Sequence, residues 1–488
     1  MVMDEAIFRK KSYGAWLGKA IGGTLGQPWE GAAGPMDLDF YRPVPTEMMP
    51  NDDLDLQILW ACKLAGDWKG VVSCKNFEDA WKNNVAFPFD EYGVAIRNIR
   101  LGLHAPLTGV YDNAFTDGLG GAIRSEIWAC LAPGDPDLAA KMAYADACVD
   151  HAGDGIYAEV FLAVLESLAF EESDIPTLIS KSLKYIPADS KLAAAINDTV
   201  KWCSEGREFI EIRNLIQANY GSPNFTDVKM NLAFEVAALL LGKGDFGKTI
   251  CCAVNFGQDA DCTGATVGAI LGIIDPDAIP EEWQKPIGRN LLLSKEITGV
   301  ECPPSIDAFA ELVISLKDKI TVEDIPAMQE LPADLEITVR ESSFSPWFAA
   351  DYRKFNPVPG KDVKNITVPG NYFTLDFTNH PANTLKMLEV DFALTDPQKI
   401  RVLVNTSATV MVWVDEQELF CRFGGDFVPA FHRAQANQLA DVELSGGKHT
   451  LTIAVAPTNE NMKEAPILFS LAGTNNLWLT DPFRYNLK

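Results

Sequence analysis

The stretch GAWLGKAIGGTLGQPWE, residues 14–30, places Gly14, Gly18 and Gly22 at intervals of four residues. Residues at this spacing share one face of an α-helix, and a face made of glycine lets another backbone approach closely. The stretch ATVGAILG, residues 265–272, has a similar small-residue face. Together they predict two helices that lie buried at the centre of an all-α domain.

Helical periodicity extends over the first two thirds of the chain. Apolar residues recur at steps of three and four in residues 137–148, 157–170 and 232–241, which are rich in Ala, Leu, Glu and Met. We therefore predict an all-α domain over residues 1–325. Pro326 and Pro332 then punctuate a linker over residues 326–340.

The remainder of the chain alternates with period two. The segments TVMVWV (409–414) and HTLTIAV (449–455) are rich in β-branched and aromatic residues. Residues 445–448 (SGGK) predict a hairpin-like turn between 441–444 and 449–455. We therefore expect an antiparallel β-sandwich over 341–488, which makes the fold multi-domain, all-α followed by all-β.

Charge and composition exclude several classes of protein. The formal net charge is −26, and so acidic a surface repels phosphate backbones and anionic lipid, so we expect neither a nucleic-acid nor a membrane partner. No apolar run reaches the roughly 18 residues of a membrane span, and residues 1–11 lack the apolar core of a signal peptide. Ten cysteines without a CxxC pair do not form a disulfide framework. We expect a cytoplasmic location.

A pair of carboxylates precedes the helical run 54–64. Asn51, Asp52 and Asp53 follow directly after Pro50. Acidic residues at this place can simply cap the helix and complement its dipole. That interpretation would suffice if the pair stood alone.

A second pair, Asp259 and Asp261, lies in NFGQDADCTG (255–264), before the small-faced helix predicted from Ala265. Two carboxylate pairs at the starts of buried helices repel each other strongly without a cation. Oxygen-rich clusters are what Mg²⁺, Mn²⁺ or Ca²⁺ require, and Glu30, as a fifth acid, suits a two-metal site.

These segments resemble the ADP-ribosylglycohydrolase family, which includes the dinitrogenase-reductase-activating glycohydrolases. The family pattern opens with a small-residue helix that ends in Gly-x-Pro-x-Glu, as residues 14–30 do. Its Thr-Asp-Asp triplet is matched by residues 51–53, and its Gly-Gly-Asp-Thr-Asp-Thr/Ser segment by residues 257–262. Residues 118–124 (GLGGAIR) look like the glycine-rich substrate loop, and His151 looks like the family's histidine at a helix start.

The resemblance implies a helical bundle that binds two Mg²⁺ ions, with Mn²⁺ as a possible substitute. It implies hydrolysis of an N- or O-glycosidic bond at a ribosyl carbon of a small-molecule or protein-linked ADP-ribosyl substrate. The residues it assigns are, as metal ligands, Asn51, Asp52, Asp53, Asp259, Asp261 and Cys262; as catalytic groups, Glu30, Asp259 and Asp261; and as substrate contacts, Gly118, Gly120, Gly121 and His151.

Three departures from the family pattern leave alternatives open. Asn51 stands where the family has its first hydroxyl ligand, Cys262 replaces the second, and Gly23 replaces a common aspartate. A soft sulfur is a poor partner for hard Mg²⁺. The chain is then either a hydrolase, a catalytically impaired protein that binds ADP-ribose or a nucleotide-sugar, or a structural protein with this fold. His151 by itself is also typical of a cap or a polar contact.

One motif points to a function that its context excludes. Residues 242–249 (GKGDFGKT) match the phosphate-loop pattern GxxxxGK[ST], which requires a preceding β-strand. The preceding residues 232–241 favour a helix instead. We therefore interpret Gly242 as a helix stop and Asp245 as the next N-cap.

The C-terminal region resembles galactose-binding-like sandwiches that accompany glycoside-acting enzymes. Trp347, Trp413 and Trp478 are candidates for stacking on a carbohydrate. The alternative interpretation makes them core aromatics.

Overall fold

The computed structural model describes residues 4–344, 362–380 and 384–487. The chain divides into two compact units. The first comprises Met1–Ala86, His104–Gly109 and Phe115–Ala327. The second comprises Phe87–Leu103, Val110–Ala114 and Met328–Lys488, so two short segments of the helical region group with the strands.

The described residues form sixteen α-helices, and the windows predicted as helical are confirmed. The helices are α1 (Glu5–Gly26), α2 (Asp52–Ala65), α3 (Cys74–Asn84), α4 (Asp90–Arg100), α5 (Leu107–Val110), α6 (Glu126–Leu131), α7 (Pro136–Ala147), α8 (Asp154–Ala169), α9 (Ile175–Ser182), α10 (Lys191–Ser204), α11 (Phe209–Tyr220), α12 (Val228–Gly242), α13 (Phe246–Asn255), α14 (Ala260–Ile274), α15 (Glu281–Ile287) and α16 (Ile306–Leu316). Two short strands of the first unit, β1 (Val71–Val72) and β2 (Thr321–Val322), pair in parallel.

Helices α1 and α14 are largely buried, as their small-residue faces predicted, and they pack against each other along those faces. A Cβ atom added to Gly18 would lie 2.0 Å from the carbonyl oxygen of Gly268, and one added to Gly14 would lie 2.2 Å from that of Gly272. The pairing runs antiparallel, so the end of α1 meets the start of α14. Helix α14 begins at Ala260, five residues before the predicted start at Ala265, because the carboxylate segment forms its first turn.

The second unit contains two antiparallel sheets, which confirms the sandwich-like β region. The strands are β3 (Ile337–Phe344), β4 (Lys364–Val368), β5 (Tyr372–Asp376), β6 (Leu385–Leu394), β7 (Gln398–Thr406), β8 (Thr409–Val414), β9 (Gln417–Phe423), β10 (Leu439–Leu444), β11 (Gly447–Ala456) and β12 (Glu464–Gly473). One sheet has the order β10-β7-β12-β5 and the other β4-β3-β6-β11-β8-β9. Strand β3 begins inside the stretch predicted as a linker.

The predicted hairpin at residues 445–448 is wrong. Strand β10 pairs with β7, whereas β11 pairs with β6 and β8. The turn therefore carries the chain from one sheet to the other. Glycine-rich turn chemistry specifies a reversal of the chain but not which strand each arm will join.

The interpretation of residues 242–249 is confirmed. Helix α12 precedes the motif, and Lys243 after it has a left-handed backbone with φ of 52°. The Asp245 carboxylate caps α13 by accepting a hydrogen bond from the Lys248 backbone N–H at 3.0 Å. The segment is a helix-to-helix turn and lacks the strand that a phosphate loop needs.

Candidate metal centre

Backbone hydrogen bonds join the segment that follows α1 to the turn that precedes α14. The Gly31 N–H donates to the Gln258 carbonyl at 2.8 Å, and the Gln258 N–H donates to the Ala32 carbonyl at 2.6 Å. These two bonds fix the segment that carries Glu30 beside the residues that lead into α14.

Helix α2 contributes the residues of the first carboxylate pair. Asn51 is its N-cap: the Asn51 Oδ1 accepts a hydrogen bond from the Asp53 N–H at 2.8 Å. The Asn51 Nδ2 donates to Asp261 Oδ2 at 3.0 Å, which ties α2 to α14. The amide oxygen of Asn51 thus serves the helix backbone, and its role as a metal ligand remains a prediction.

Two groups of potential metal ligands form where these segments meet. One consists of Asp53, Asp261 and Cys262, and the other of Glu30, Asp259 and Asp261. Within each group the candidate ligand atoms lie within 4.8 Å of one another. Asp261 belongs to both groups. Every member is buried except Glu30, which is exposed.

Burial and mutual repulsion raise the pKa values of these carboxylates. Burial, followed by the charges of Glu30 and Asp53, raises the pKa of Asp261 to about 7. Burial and the neighbouring Asp261 raise the pKa of Asp259 well above its usual range, and burial and Asp53 do the same for the pKa of Asp52. A bound cation would relieve the repulsion between these buried negative charges.

The surroundings of Asp261 fit a divalent ion. Its side chain is 3% exposed, yet Oδ1 has no hydrogen-bond partner in the part of the chain that the structure describes. Asp259, the residue before α14, makes no side-chain capping bond to the helix. Carboxylate oxygens that the backbone does not use are available to coordinate Mg²⁺ or Mn²⁺.

Lys19 is part of this centre, although we did not single it out from the sequence. Its Nζ lies 3.3 Å from Asp53 Oδ1 and 2.8 Å from Glu126 Oε1, and the side chain is fully buried. Although burial lowers it, the charges of Glu126 and Asp53 raise the pKa of Lys19 above its usual range. The sequence does contain a signal for this role. Lys19 lies in a helix that its glycine face predicts to be buried, and a buried ammonium requires a negatively charged or polar partner.

Comparison with known proteins identifies the family of this chain. Residues 4–314 match the family model described as ADP-ribosylglycohydrolase. The chain belongs to the ADP-ribosylglycohydrolase family. No curated protein matches it significantly.

Three solved structures are similar to parts of the chain. An ADP-ribosylglycohydrolase-related protein complex is 20% identical with a TM-score of 0.45, over 64% of this chain and 98% of its own. An anti-sigma factor domain-containing protein is 11% identical with a TM-score of 0.20, over 34% and 52%. An alpha-xylosidase from Xanthomonas citri is 14% identical with a TM-score of 0.18, over 32% and 17%. At these TM-scores none of the three bears on function.

The segment that resembles the family's substrate loop lies in the interior. Gly118, Gly120 and Gly121 are buried, and the Gly121 N–H donates to His151 Nε2 at 3.1 Å. His151 is 0% exposed, and its Nδ1 lies 2.9 Å from Asp150 Oδ1. The histidine therefore makes polar contacts that hold the loop, and substrate contacts by these four residues remain a prediction.

The described tryptophans of the sandwich are core residues. Trp413 is 1% exposed and Trp478 is 4% exposed, so neither face is open to a carbohydrate. Trp347 lies outside the described residues.

As for the membrane, none of the described helices is both long and apolar enough to cross one.

Proposed function

We propose that this family member is a metal-dependent glycohydrolase that cleaves an N- or O-glycosidic bond at a ribosyl carbon. The substrate class is an ADP-ribosylated molecule or a related nucleotide-sugar. One observation carries the proposal: Glu30, Asp53, Asp259 and Asp261 come from three distant segments and converge in one cluster within a domain of this family.

The proposed cofactor is a pair of Mg²⁺ ions, with Mn²⁺ as an alternative. The residues that would hold them are Asp53, Asp259 and Asp261, together with Glu30; Asp52 is a further candidate because its carboxylate interacts electrostatically with Asp53 and Asp261. Bound divalent ions would neutralise these carboxylates and lower the pKa of a coordinated water.

The chain's own carboxylates have distinct tasks in the reaction. A water oxygen forms a bond to the anomeric carbon, the glycosidic bond breaks, and the leaving group takes up a proton. In this proposal Asp259 or Asp261 orients that water and accepts its proton. Glu30 is the exposed member of its group, and we assign it the contact with the ribose.

The test is release of free ADP-ribose, measured by chromatography. Peptides ADP-ribosylated on arginine or serine are incubated with the protein in Mg²⁺, Mn²⁺ or a chelator. We expect turnover only with metal, and a drop of about 10²-fold or more in the Asp259→Asn variant. Asp245→Asn, which alters the cap of α13, serves as the control. Equal activity in both variants would remove the cluster from the mechanism.

A second candidate function is binding of ADP-ribose without turnover. It is favoured by the Lys19 ammonium, which compensates Asp53 without a metal, and by Cys262 in the ligand group. Calorimetry with ADP-ribose separates the two, beside an Asp52→Ala and Asp259→Ala double variant. Saturable binding by a protein that releases no product would select the binding function.

A further inference from the structure

The two ligand groups differ in chemistry as well as in exposure. The group of Glu30, Asp259 and Asp261 offers only oxygen atoms. The group of Asp53, Asp261 and Cys262 contains a thiol and is entirely buried. The Cys262 Sγ lies 3.5 Å from Asp53 Oδ2, so the sulfur faces the carboxylates rather than only apolar neighbours.

A donor set of one sulfur and two carboxylates has a definite preference among metal ions. Thiolate ligands suit Zn²⁺, Co²⁺ and Fe²⁺, whereas Mg²⁺ selects oxygen. Burial and the charges of Asp259 and Asp261 raise the pKa of the Cys262 thiol well above its usual value, so an ion that binds here must displace the thiol proton. The buried Asp261 Oδ1, without a hydrogen-bond partner among the described residues, is an independent sign that the group is built for a ligand.

We propose that Asp53, Asp261 and Cys262 bind a thiophilic divalent ion such as Zn²⁺ or Fe²⁺, while the oxygen-only group retains a hard ion. The centre would then hold two different metals with Asp261 between them. The inference rests on the metal centre of the proposed function and replaces one of its two Mg²⁺ ions with a thiophilic ion. On binding, the Cys262 thiol releases its proton to solvent and the sulfur forms a bond to the ion.

The experiment uses Co²⁺ as a spectroscopic probe. Co²⁺ is titrated into chelator-stripped full-length protein while the near-ultraviolet absorption is recorded. We expect a sulfur-to-cobalt charge-transfer band that saturates at one ion per chain. Cys262→Ser should abolish the band. It should also weaken Co²⁺ binding by at least roughly 10–100-fold, which is the loss typical when a residue that only supports a metal ligand is removed.

Cys252→Ser is the matched control. Cys252 lies on α13 with Cys203 and Cys251 as its electrostatic neighbours, so it represents the other thiols of the chain that can bind Co²⁺. The band should persist in this variant. If Cys262→Ser is unstable, Asp53→Asn tests the same site, because it removes another of the proposed ligands. It should weaken Co²⁺ binding.

Competition with Mg²⁺ completes the test. Excess Mg²⁺ should leave the band of the wild-type protein intact. Three results would overturn the inference: the wild-type protein shows no band at saturating Co²⁺, the band persists in Cys262→Ser, or excess Mg²⁺ removes the band. These results are independent of turnover: ADP-ribose release with Mg²⁺ but no band rejects only the thiophilic site, and a band without ADP-ribose release rejects only the hydrolase.

Discussion

A Cβ atom on Gly22 would lie 1.9 Å from the carbonyl oxygen of Gly264. No side chain fits there, so α1 and α14 touch backbone to backbone at this point. Because the helices are antiparallel, this contact sets the register that places Glu30 beside Asp259 and Asp261. The geometry of the metal centre thus depends on two glycines that lie outside it.

The first prediction concerns this contact. Gly22→Ala should lower the free energy of unfolding by about 1–3 kcal/mol or more, because the added methyl group forces two backbones apart. Urea unfolding followed by circular dichroism measures it.

Gly23→Ala is the matched control for that substitution. Its Cβ would meet only the Cβ of Ala265, at an ordinary 3.5 Å. An alanine there should be neutral or stabilise the helix by up to about 1 kcal/mol. Equal effects of the two substitutions would show that the close approach does not constrain the fold.

The second prediction concerns Lys19. Lys19→Met removes the ammonium that pairs with Asp53 and Glu126 and leaves their charge buried. We expect a loss of about 3–5 kcal/mol in unfolding free energy. Lys75→Met, which breaks the exposed pair with Asp79, should cost less than about 1 kcal/mol. A Lys19→Met protein as stable as wild type would exclude this role.

The third prediction concerns Glu30. Since this carboxylate is exposed and its charge repels Asp261, Glu30→Gln should not lower the thermal unfolding midpoint. If Glu30 acts on the substrate, kcat for ADP-ribose release should fall by about 10²-fold or more. Steady-state kinetics and a melting curve on the same preparation check both statements. A change confined to stability would assign Glu30 a structural role instead.

The fourth prediction concerns pH and the sandwich. His449 Nδ1 lies 2.9 Å from Asp415 Oδ2, and Nε2 lies 2.9 Å from the Ser445 carbonyl, so the doubly protonated ring satisfies both. Although burial lowers it, these partners raise the pKa of His449 above its usual value. The protonated His449 ring therefore contributes to the free energy of unfolding below about pH 6.5. That contribution is lost as the pH rises through the pKa of His449 in the folded state.

NMR titration of His449 checks that prediction. Asp415→Asn should lower the pKa of the ring, and His449→Gln should flatten the corresponding part of the stability–pH curve. The wild-type minus variant difference isolates this group from the other titrating residues. An unshifted His449 in Asp415→Asn would contradict the assignment.

Several local features were predictable because their causes are local. The cap at Asp245 follows from the bond of its carboxylate to the Lys248 backbone N–H, and α12 ends where Lys243 after Gly242 adopts a left-handed backbone. The turn at residues 445–448 was also recognisable. Its two strands nevertheless joined different sheets, because strand partners are chosen by side-chain packing along the whole strand.

The sequence by itself determined the helical and β regions, the small-residue faces and the candidate carboxylates, since periodicity and spacing act within a few residues of the chain. Only the tertiary structure decided that Asp261 belongs to two ligand groups, that Cys262 faces Asp53, and that Lys19 lies against the same carboxylate. Those contacts join residues far apart in sequence. The antiparallel packing of α1 on α14 brings Glu30 to the start of α14, and the hydrogen bond from Asn51 to Asp261 joins the start of α2 to the same place.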